Sequence, residues 1–190
     1  DDGAGIDVER IKAKALQKCA QAIVKDTLPA GTDCEHEGDT AAAIAKAMKK
    51  VVATIAKRCG GKDRTCGSPD DSRLDDIGWN IDGCPSFLGD GCAHAVNDCA
   101  DIATCVVCVG DAAVGSAVDF YYRGFTDTDA KSKDRRTKAL NKCQVTIGRE
   151  TAAFLSAKSK ALEKCWVGVS TGKASAPCPD GDADEAIDKA

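Results

Sequence analysis

Apolar residues recur every third or fourth position through most of this 190-residue chain, and that spacing predicts helices. Ile11, Ala15, Cys19 and Ile23 fall four apart and mark an amphipathic helix over residues 8–25, which Pro29, Gly31 and Asp33 break. Asp39 or Thr40 caps a second helix that buries Ile44, Met48, Val51, Ile55 and Cys59 and stops at Gly60 and Gly61. Between residues 60 and 91 the periodicity disappears among Gly, Pro and Asp. That stretch reads as a loop-rich excursion, tied down by Cys66 and Cys84 and plugged onto the helices by Trp79, Phe87 and Leu88. A third helix over about residues 91–122 carries Cys92, Cys99, Cys105 and Cys108 among small apolar side chains. A fourth begins near Asp129 and runs to about Val169, with only Gly148 arguing for an interruption. The expected fold is all-α, with a long C-terminal helix and a loop-rich insertion.

The long helix holds Cys143 and Cys165, 22 residues apart. At about 100° per residue they return to within roughly 40° of one face, about 33 Å apart along the axis. Ile147, Phe154 and Leu162 lie between them on that face. The two cysteines are too far apart to bond each other, so each is expected to staple a different place and make the helix a strut.

The chain also repeats itself. "KALQKC" (residues 14–19) returns as "KALNKC" (138–143) and "KALEKC" (160–165). After Cys19 come a polar stretch, Cys34 and "GDTAAAIAKA" (38–47); after Cys165 come a polar stretch, Cys178 and "GDADEAIDKA" (181–190). The order is helix end, cysteine, loop, cysteine, acidic cap, alanine-rich helix start, at offsets of 146, 144 and 143 residues. One full repeat over 1–159 followed by a partial copy over 160–190 is the expected organisation. A partial copy can cap a stack, or take in a neighbouring subunit the place its counterpart occupies at home.

Composition sharpens this. Aromatic residues make up 4% and there is one Met, so the apolar core is built from small side chains and is thin for the length. Twelve cysteines offset the thinness: Cys19, Cys34, Cys59, Cys66, Cys84, Cys92, Cys99, Cys105, Cys108, Cys143, Cys165 and Cys178. An even set in a chain this size points to full pairing in an oxidising compartment, secreted or at a cell surface. Metal thiolates are the competing explanation, but Cys105 and Cys108 form a lone Cys-x-x-Cys, and Val109 follows where haem attachment needs His. A redox role for that pair is disfavoured by its place in mid-helix, so structural bridges to separate partners are expected.

The net charge of −4 is mild and mixed, with no basic block to bind nucleic acid. No run of about 18 apolar residues is present to span a membrane, the longest stretch being broken by Asp111. The acidic start, "DDGAGIDVER", is unlike a signal peptide and reads as a mature chain freed of its leader. Asp180, Asp182 and Asp184 alternate like the opening of a calcium loop, but Glu185 stands where that loop needs Gly, and acids at a helix start account for them. His36 lies in a polar loop with Glu35, Glu37 and Asp39, and His94 near a helix start; no nucleophile motif accompanies either. Phe120, Tyr121, Tyr122 and Phe125 are expected to pack the turn between the third and fourth helices. No catalytic residue, metal or cofactor is expected.

The "KALxKC" helices, "GCPSFLGDGCAHAVNDCADIATCVVC" (83–108), "AAVGSAVDFYY" (112–122) and the segment 138–165 together resemble a known pattern. They are similar to cysteine-rich helical modules, often in tandem, of exported proteins from delta-type proteobacteria and environmental genomes. The resemblance covers most of the chain, implies export and tandem repetition, and supplies no activity. The expected function is a structural subunit of an extracellular filament or array, polymerising with itself head to tail through Cys165, Trp166, Cys178 and Ile187. A monomeric secreted binding module is the alternative.

Overall fold

The computed structural model describes residues 4–29, 31–86, 89, 91–122 and 132–190, with side chains from Val8 onward. Five helices account for its regular structure: α1 (Ala4–Val24), α2 (Gly38–Cys59), α3 (Cys99–Tyr122), α4 (Arg135–Ser170) and α5 (Gly181–Asp188). Among the described residues there is no strand, and the fold is all-α and disulfide-rich. It divides into two compact units, one of Asp1–Lys12 with Ala41–Ala117, the other of Ala13–Thr40 with Val118–Ala190. The junction expected at 159/160 falls inside α4, so it does not separate these units.

In the first unit Val8, Ala47 and Val51 form one core cluster with Ile11, Met48 and Val106 packed against it. Cys84, Cys92, Val96, Ile102 and Cys105 form another, joined by Leu74 and Trp79. Trp79 therefore plugs the excursion as its sequence suggests, while Phe87 and Leu88 lie outside the described residues. Three bridges fix the excursion to α3: Cys66–Cys99, Cys84–Cys105 and Cys92–Cys108. Cys105 and Cys108 bond separate partners, which removes them as a redox pair.

Helix α3 starts eight residues later than its composition suggests, because Asp98 caps it. The Asp98 carboxylate accepts from the amides of Ala100 (2.7 Å) and Asp101 (3.0 Å), and Asp101 accepts in return from the Asn97 amide (2.8 Å). This reciprocal pairing satisfies amides that the helix leaves open at its start. α3 is also the one described helix long and apolar enough, at mean hydropathy 1.6, to cross a membrane by length and composition. Its wall is taken up instead by three cystines and by Asp111, whose carboxylate binds the Lys12 ammonium at 2.7 Å.

The second unit contains α4 and α5. Asp134 caps α4 through the Thr137 amide at 2.8 Å, and the helix then runs unbroken through Gly148. Glycine is required there, since a Cβ would overlap the Tyr122 hydroxyl. Tyr122 thus packs on α4 at Gly148, while the Phe120 ring meets Tyr121 edge-on and stays largely exposed. Phe125 and Asp129 lie outside the described residues.

Candidate functional site

Two helix–loop–helix corners stand out, both in the second unit. In the first, α1 delivers Cys19, buried near its end, to Cys34, with Cα atoms 5.7 Å apart. Glu37 then caps α2: its Oε2 accepts from the Thr40 amide at 2.9 Å and the Thr40 hydroxyl at 2.8 Å. These bonds, led by the Thr40 amide and aided by Lys18 nearby, hold the Glu37 carboxyl below the usual carboxylate range. The helix opens at Gly38 and Thr40 is buried.

In the second corner α4 delivers Cys165, also buried, to Cys178, with Cα atoms 6.0 Å apart. Asp180 caps α5, its Oδ1 accepting from the Ala183 amide at 2.9 Å. This helix opens at Gly181, and Ala183 is buried. Glu37 and Asp180, Gly38 and Gly181, and Thr40 and Ala183 are each 143 positions apart. Cap, opening glycine and first buried residue therefore recur in register. Sequence reasoning placed the first cap at Asp39 or Thr40 and missed Glu37; the register with Asp180 was the signal that would have found it.

The corners differ on their outer surfaces. Ala41, Ala42 and Ala45 of α2 correspond to Asp184, Glu185 and Asp188 of α5, and Ala20 of α1 corresponds to Trp166 of α4. Trp166 is 53% exposed beside Val167 at 40%, an unusual placement for an indole ring. Of the expected contact residues, Trp166 lies open, Ile187 is half-buried, and Cys165 and Cys178 are consumed by their mutual bridge. Any contact between copies thus uses the corner's side chains and leaves its sulfur atoms out.

Full pairing of the twelve cysteines is corrected. Five bridges form, and Cys59 and Cys143 remain thiols. An even count supplies partners without bringing them within the roughly 7 Å that bonding requires. Cys143 projects from the exposed side of α4 with Ile147 and Phe154, while Gln144 and Gly148 occupy the buried side. The strut is accordingly stapled at its Cys165 end alone. Burial, with the Asp71 charge adding to it, pushes the Cys59 thiol up from its ordinary pKa.

The candidate calcium ligands do not converge. Asp180 is committed to its cap, Asp182 and Asp184 sit in the first turn of α5, and among the described residues no three His, Cys, Asp or Glu side chains form a metal cluster. His36 binds the Asp33 carboxylate at 2.8 Å in an exposed loop. The ring of His94 joins the Cys92 carbonyl (2.7 Å) to that of Asp101 (3.2 Å), fastening the excursion to α3.

These features define a disulfide-stapled, all-α protein in which a helix–loop–helix corner with the same bridge, acidic cap and opening glycine occurs twice. No protein-family model matches the chain, and no curated protein or solved structure matches it. The five cystines are typical of proteins that fold in oxidising, extracellular environments.

Proposed function

We propose that the chain is a structural subunit, secreted or held at a cell surface, that joins copies of itself head to tail through its second corner. The observation that carries this reading is the register between the corners. Bridge, acidic cap, opening glycine and first buried residue recur at matching positions around α1–α2 and α4–α5. A corner frame built twice on one chain suits a heterologous contact, in which the second copy engages a neighbour where the first copy stands at home. Such contacts extend without closing and yield filaments. Trp166 supplies an exposed aromatic anchor of the kind that dominates interface energies.

Electron microscopy and sedimentation velocity of the protein, prepared without reductant, test the reading. Filaments or a concentration-dependent ladder of oligomers are expected, and Trp166→Glu should abolish them while leaving helix content unchanged. Single copies at every concentration would remove this reading and leave the secreted binding module.

A further inference from the structure

Where the end of α1 meets the middle of α4, the second unit opens a cavity of about 420 Å³. Its floor is apolar, from Val24 and Val145, and its rim carries Lys25, Lys142 and Arg149. No acid lines it. The Arg149 guanidinium leans on Glu150 through Nε at 2.8 Å, but neither Lys25 nor Lys142 has an ion-pair partner among the described residues. Three cations gathered around an apolar floor in a protein of net charge −4 repel one another, and among the described residues only Arg149 is paired, with Glu150. An acidic, amphipathic segment is the complementary occupant.

We propose that this basic cavity receives the acidic face of α5 from a second copy of the chain, a partner assignment that rests on the head-to-tail reading. In eight residues α5 carries Asp182, Asp184, Glu185 and Asp188. Three of these acids replace the alanines of the matching α2 positions. The helix dipole accounts for Asp182 and Asp184 in the first turn, but it disfavours an acid at Asp188, in the last. All three aspartates are exposed, as charges awaiting a partner would be.

The chain's own α5 is held away from its own cavity. α5 is tied to Cys165 through Cys178, and the unbroken helix α4 carries Cys165 twenty residues beyond Val145. That is about 30 Å along the axis, well beyond the roughly 12 Å length of α5, which favours a contact between copies.

Charge exchange tests the assignment in the full-length protein. Receiver variant Lys25→Glu/Lys142→Glu and donor variant Asp184→Lys/Asp188→Lys alter only exposed side chains, and circular dichroism verifies that each keeps its helix content. In sedimentation velocity each variant alone should associate about tenfold or more weakly than the parent chain. Their mixture should rebuild the ladder with the two variants alternating, because the intact donor of one meets the intact receiver of the other and the exchanged donor meets the exchanged receiver. All four substitutions in one chain should restore the ladder. Receiver and donor variants that assemble like the parent would overturn the cavity assignment and leave the head-to-tail reading in place. So would loss in both variants with no ladder in the mixture. A parent chain that stays single at every concentration would overturn both.

Discussion

Lys12 shows how far a single side chain can depart from its type. It is 2% exposed, held through its ammonium by the Asp111 carboxylate at 2.7 Å and the Asp111 carbonyl at 2.9 Å. The Asp111 side chain is 36% exposed, so losing this ion pair costs less than the about 3–5 kcal/mol of a fully buried one. Asp111→Ala should therefore lower the urea midpoint, and Lys12→Met/Asp111→Leu should recover most of the loss. Gly148 reverses another rule. In a mid-helix site Gly→Ala normally stabilises by about 1 kcal/mol, yet here the added methyl would overlap Tyr122, so Gly148→Ala should lower the thermal midpoint. Burial pushes the Tyr122 hydroxyl up to about 12. Its folded pKa exceeds the unfolded value near 10, so its contribution is complete below about pH 10 and is lost as pH climbs toward 12. Absorbance titration at alkaline pH checks this by showing one tyrosine ionising late. Lys12 was not legible in the spacing, which turns Ile11, Ala15, Cys19 and Ile23 inward, whereas Val8, Lys12, Leu16 and Cys19 are buried and Ile11, Ala15 and Ile23 are half-buried. Its partner was visible only as the acid that interrupts the apolar run of α3.

The helices begin where carboxylates receive their open amides. Asp98, Asp134 and Asp180 cap α3, α4 and α5, and Glu37 caps α2. Replacing a capping Asp by Ala costs about 1 kcal/mol, so Asp134→Ala should fray the start of α4 and lower its helix signal in circular dichroism. Backbone amides hold Glu37, Asp70, Asp101 and Asp134 below the usual carboxylate range, and Asp33 is held there chiefly by the His36 ring. Folded values below the unfolded ones contribute stability above about pH 4 that is lost as pH falls. Burial raises Glu9, which acts in the opposite sense, being favourable only at acid pH. With five groups against one, the denaturation midpoint should fall between about pH 5 and pH 3. Periodicity located all four long helices, because apolar spacing is a property of each segment alone. It misjudged their starts, which depend on a single capping carboxylate: α3 waits for Asp98, and α4 for Asp134 rather than Asp129. The eight-residue α5 was legible only through its likeness to the start of α2.

The chain taken together is held by its cystines as much as by its thin core. Each contributes about 2–4 kcal/mol, and the two thiols left over are directly countable. Denatured without reductant, the protein should show two reactive thiols per chain. In the native state Cys143, exposed on α4, should react first, and Cys59 should follow slowly and faster as pH rises. Zero thiols would mean that Cys59 and Cys143 are bridged. The all-α class, the bridged excursion and the recurring corner were all legible in the sequence, since each is a matter of spacing. The basic cavity was not, because Lys25 and Lys142 are 117 positions apart and only folding brings them to one rim.

The three bridges of the excursion carry a consequence for biosynthesis. Cys66, Cys84 and Cys92 all precede Cys99, Cys105 and Cys108, and they bond them in the same order, so every bridge straddles the other two. A chain emerging from its amino end presents the first three sulfurs with no correct mate in sight. An oxidant acting as they appear would join Cys59 to Cys66, or Cys84 to Cys92, and seal the wrong knots. The correct bridges can therefore close only after α3 has arrived, and any sulfurs paired earlier must first be exchanged by attack of a free thiolate.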